Sequence, residues 1–140
     1  VFLDGDWCWN MHPFIVTEET KAMVLENIAF LLNQFLACSA LEHIIFCWVI
    51  HQEEILRDIL SRLKLSDCRV LTVSLICSEE ALRLRLQKDV EAGLRTEDVI
   101  ERSVARLECY RDFPSVKLDV SHISPEEAAG KIAAMVREAE

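Results

Sequence analysis

Glycine and proline are both scarce in this chain, with three of each among 140 residues. Collagen-like, linker-rich and low-complexity architectures all need those residues in quantity, so they are excluded. The six cysteines, at 8, 38, 47, 68, 77 and 109, form no Cys-x-x-Cys pair and mostly fall inside apolar runs. They read as reduced core residues of a cytoplasmic protein, not as a disulfide frame or a zinc site. No apolar run approaches the roughly 20 residues that cross a bilayer, and no charged leader precedes an apolar segment, so a soluble, untargeted chain without a membrane partner is expected. Positive charge is also short: 15 Lys and Arg stand against 24 Asp and Glu, for a net charge of −9. Such a surface repels a nucleic-acid polymer, and any phosphate ligand must be held by a local basic cluster.

What the chain does have is apolar residues, 51% of the total, at a mean hydropathy of +0.18. That is enough for a packed core in a single domain over residues 1–140. With little punctuation, periodicity and caps carry the reading. Val1–Asp4 reads as a short strand. From Thr17 to about Ala37 the apolar residues Ala22, Met23, Leu25, Ile28, Ala29, Leu31, Leu32 and Phe35 recur at helical spacing. Ile44–Ile50 is a continuous apolar run, expected as a strand covered on both faces. A helix over Gln52 to about Leu63 and a buried strand over Arg69–Cys77 follow.

Ser78-Glu79-Glu80 opens a helix that Gly93 stops near Ala92. Thr96-Glu97-Asp98 opens another that ends near Asp112, before Pro114. Val116–Val120 is the last strand. Ser124-Pro125-Glu126-Glu127 caps a final helix to about Ala139, with serine at the cap, proline at the first helical position and glutamate at the third. The order β-α-β-α-β-α-α-β-α implies an α/β fold, a parallel sheet flanked by helices on both faces.

Two groups of residues suggest chemistry. Asp4-Gly5-Asp6 stands at the carboxyl end of the first strand, where open α/β sheets bind ligands. Asp4 and Asp6 there can orient a hydroxyl or hold water on Mg²⁺; the alternative is a solvated turn. Trp7, Trp9 and Phe14 follow closely and either stack on a planar substrate or close the core. His12 and His51 lie at or beyond strand ends, whereas His43 and His122 look like loop residues.

The second group is basic. Arg83, Arg85, Lys88, Arg95, Arg102, Arg106 and Arg111 are seven of the fifteen Lys and Arg residues. Arg102 and Arg106, four apart, are expected on one helix face, with Arg95 in the preceding turn and able to swing toward the same point. Guanidinium forks match phosphate oxygens. The alternative is a solvated helix pair whose arginines are matched by Glu91, Glu97, Asp98, Glu101 and Glu108.

In sequence order, VFLDGDWCW, IIFCWVI, SLICSEEALRLRL, GLRTEDVIERSVARLECY and VKLDVSHISPEEAAGKI together resemble P-loop kinases. The branch resembled is that of shikimate kinase, adenylylsulfate kinase and chloramphenicol phosphotransferase, with bacterial AAA-type nucleotide kinases nearest in pattern. The resemblance implies a nucleotide-kinase-like fold with a helical lid over about residues 83–111, and ATP-dependent phosphoryl transfer to a small-molecule or nucleotide hydroxyl with Mg²⁺. It implies that Asp4 and Asp6 contact substrate and metal; by position beside them or beyond a strand end, Trp7, Trp9 and His51 are the candidates to border the substrate. Arg85, Arg95, Arg102 and Arg106 would meet phosphates, and Val120, Ser121 and His122 would border the adenine.

The Gly-x-x-x-x-Gly-Lys-Ser/Thr loop of that family is absent, because the glycines are Gly5, Gly93 and Gly130 alone. In the family's sheet order, 2-3-1-4-5, the strand preceding that loop is central. The expectation is therefore a truncated member, inactive in this form. Its strand edges would be exposed and available for homodimerisation. The alternative is a non-catalytic binding module or a self-associating α/β domain.

Overall fold

A computed structural model describes residues 1–66 and 68–138. It is mixed α/β, with five α-helices and short parallel strands in two small sheets. The chain forms two compact units, Val1–Arg69 and Val70–Glu140.

In the first unit, β1 (Phe2–Asp4) and β2 (Ile45–Cys47) pair in parallel, with Leu3 opposite Phe46 and Asp4 opposite Cys47. Parallel neighbours need a long crossover. Here it contains a 3-10 helix (Gly5–Trp9) and α1 (Glu18–Leu36). Thr17 and Thr20 start α1 by exchanging side-chain and backbone hydrogen bonds, the Thr17 amide donating to Thr20 Oγ1 at 2.8 Å. Val24, Ile28 and Leu32 recur every fourth position, so they share a face, and they pack with Leu3 and with Ile59 of α2 (Glu53–Ser61) as the core. Asn33 secures the far end of α2. Its Nδ2 donates to the Arg62 carbonyl and its Oδ1 accepts from the Lys64 amide, each at 2.9 Å.

Only one face of this sheet is covered. Leu3 is 3% exposed, while Phe2 and Ile45 on the opposite face are 46% and 60% exposed. From residue 44 to 50 burial alternates, with Phe46, Trp48 and Ile50 half-buried and Ile45, Cys47 and Val49 exposed. The continuous run expected to be covered on both faces is thus a short strand with one dry face. A two-stranded sheet under a single layer of helix has nothing to place over the other side.

The second unit pairs β3 (Val73–Ile76) with β4 (Val116–Asp119), again in parallel. The crossover holds α3 (Glu79–Glu91), α4 (Asp98–Val104) and a 3-10 turn at Leu107–Tyr110. Ser78 caps α3 by accepting from the Ala81 amide. Gly93 ends it at φ 71°, with the Gly93 and Leu94 amides donating back to the Val90 and Asp89 carbonyls. This closure needs a left-handed residue, which glycine supplies without strain.

α5 (Pro125–Glu138) opens as the sequence implies. The Glu127 amide donates to Ser124 Oγ, and Glu127 Oε2 accepts from the Ser124 amide. The expected end near Ala139 lies outside the described residues. Leu75 is 55% exposed, so the strand expected as buried over Arg69–Cys77 is shorter and half-open. None of the cysteines is fully buried: Cys38, Cys47, Cys68 and Cys109 are exposed, Cys8 and Cys77 half-buried, and all six are free thiols. The reading as core residues is corrected accordingly. Apolar neighbours in sequence mark a strand's two faces together, and Cys47 falls on the open face of β2, while the other five lie outside the strands.

Candidate functional site

The acidic turn of the first unit is built by β1, its 3-10 helix and the residue that follows β2. Asp4 ends β1 and caps the turn, its Oδ1 accepting from the Asp6 amide at 2.9 Å. The Asp6 Oδ1 accepts from the indole Nε1 of Trp48 at 3.0 Å. Because Asp4 is opposite Cys47 in the parallel register, Trp48 comes level with Gly5. Its ring covers Gly5 so closely that a Cβ there would meet Cδ1 at 2.7 Å. Each carboxylate therefore has one oxygen held by a protein N–H.

Burial pushes up the Cys47 thiol, and Asp4 and Asp6 push it further. The thiol reports the negative field of the pair. Among the described residues no group of three or more His, Cys, Asp or Glu is placed to hold a metal. Two carboxylates are fewer ligands than a metal caged wholly by protein takes.

The aromatic residues divide. Trp7 is 61% exposed and meets Phe2 edge-on at 5.6 Å. Trp9 lies 5.9 Å from Phe14 and packs against the core, the packing role left open beside a substrate role. His51 is half-buried just beyond β2.

In the second unit Arg95 and Arg102 border one groove of about 370 Å³ at the α3–α4 turn, with Gly93, Leu94, Thr96 and Val99 completing its lining. Each arginine has an acid beside it, Asp89 for Arg95 at 3.3 Å and Asp98 for Arg102 at 3.2 Å. Arg83 is a clasp between helices. It donates to Glu79 and Glu101, each at 2.7 Å, and holds the Glu101 carboxyl below its usual range. α4 stops at Val104, and Arg106 lies just beyond it, still in helical backbone conformation, as the residue before a 3-10 turn.

The loop after β4 is tied internally. Ser121 Oγ accepts from the Ser78 amide at 2.8 Å and donates to Asp119 Oδ1 at 2.6 Å. The side-chain and backbone hydrogen bonds from Ser121 lower the Asp119 carboxyl, and His122 adds to the effect. Arg85 donates to the carbonyls of Val120 and Ser121, so two residues expected to border the adenine hold the guanidinium expected to meet phosphate.

The structure thus brings Asp4 together with Asp6, Arg95 with Arg102, and Arg85 with Val120 and Ser121. Trp48 was missed in the sequence because Ile44–Ile50 reads as one buried strand. The usable signal was an indole two residues past Phe46, at the end of the strand that pairs with the Asp-Gly-Asp strand. Comparisons with protein-family models, with curated proteins and with solved structures found no match to this chain.

Proposed function

We propose that the chain is the acceptor-binding and lid portion of an ATP-dependent P-loop kinase that phosphorylates a small-molecule or nucleotide hydroxyl. The observation that carries this reading is the strand pairing. β1 with β2, and β3 with β4, are parallel pairs, and neither has a third strand among the described residues. Two parallel pairs in this chain order are what the outer strands 2-3 and 4-5 of a 2-3-1-4-5 sheet would form among themselves. The exposed apolar residues Phe2, Ile45, Leu75 and Val116 support the reading too, because a complete sheet with helices on both faces would cover them.

In this reading one of Asp4 and Asp6 orients the acceptor hydroxyl while the pair holds Mg²⁺ through water, and the metal supplies charge neutralisation at the phosphates. Arg95 and Arg102 face phosphate oxygens from their groove, since their present ion pairs are exposed and such pairs are weak. Trp7 offers an exposed ring to a planar acceptor. The residues here do not fit ATP itself. No glycine-rich loop with a lysine exists among these 140 residues to cradle a triphosphate, and the reading requires one elsewhere in the protein.

Two measurements test the proposal. The coding sequence upstream of Val1 should encode a strand and a glycine-rich loop ending in Lys-Ser or Lys-Thr. The protein that includes it should hydrolyse ATP in a Mg²⁺-dependent way, while the 140-residue chain should not. A gene without such a loop overturns the proposal.

The open apolar sheet faces also favour a second reading, a self-associating domain. Light scattering separates the two, because a mass that stays monomeric as concentration rises removes the second.

A further inference from the structure

We draw no further inference here: the strongest candidate, the open apolar face of the β1–β2 sheet at Phe2 and Ile45 with Trp7 edge-on against Phe2, carries none because nothing in the structure shows what covers it.

Discussion

The indole of Trp48 rests on the bare Cα of Gly5, and that contact joins the end of β1 to the residue after β2. Gly5→Ala should therefore destabilise the chain by about 1–3 kcal/mol, the usual cost of overpacking a filled site. Urea denaturation measures it. Trp48→Ala in the same molecule should remove most of the penalty, so the double variant should be more stable than the sum of the two single losses requires. Strict additivity would mean that the two residues do not touch.

Asn33 is a second long-range tie, holding the Arg62 carbonyl and the Lys64 amide with one side chain. Asn33→Leu keeps the approximate shape but leaves both backbone groups without this partner. One of these bonds is part-buried and the other exposed, so about 1 kcal/mol of stability should go, the net worth of hydrogen bonds that water partly replaces. The measurement is again the denaturation midpoint, with m unchanged. A loss below about 0.5 kcal/mol would mean that water replaces the amide at no cost.

Two carboxyls give the pH dependence a sign. Arg83 lowers Glu101, chiefly by hydrogen bonding, and Ser121 lowers Asp119 by the same means. A depressed carboxyl contributes stability that is present above its unfolded value, near pH 4, and lost as pH falls through its folded value. Stability should thus be flat from about pH 7 to 5 on account of these two groups and fall below that. Glu101→Gln should shallow the acid limb of a melting-temperature profile. An identical limb in wild type and variant would remove Glu101 from the explanation.

Much of this architecture was legible in the sequence because it is written in local signals. Ser78, Gly93 and Ser124 mark helix ends through hydrogen bonds that span only three to five residues, and all three act as read. The alternation of strands and helices came from period alone. What escaped depends on partners far along the chain.

A run such as Ile44–Ile50 does not state how many layers cover it, so the open face at Ile45 and Val49 was invisible. Spacing read Arg102 and Arg106 as parts of one helix to about Asp112, whereas α4 ends at Val104 and a 3-10 turn follows at Leu107–Tyr110. Composition announced the basic cluster without saying which arginines clasp helices, as Arg83 does, and which border a groove, as Arg95 and Arg102 do. The Trp48–Asp6 bond exists only once the β1–β2 register is set.

The thiols offer a test of the field around the acidic turn. Cys38, Cys68 and Cys109 are exposed, and so is Cys47, but desolvation and the carboxylates of Asp4 and Asp6 raise the Cys47 thiol. The thiolate is the reactive species, so at pH 8 iodoacetamide should label Cys47 more slowly than the other three exposed cysteines, as followed by mass spectrometry. Desolvation, the larger cause, cannot be separated from access by labelling rate alone. The charge effect can be, because Asp4→Asn and Asp6→Asn leave access nearly unchanged. Each should speed labelling at Cys47 and leave Cys109 untouched, and the difference should shrink as salt screens the pair. Labelling of Cys47 that ignores both substitutions would mean that the carboxylates point away from the strand end, and the acidic turn would then lose its claim to a cation.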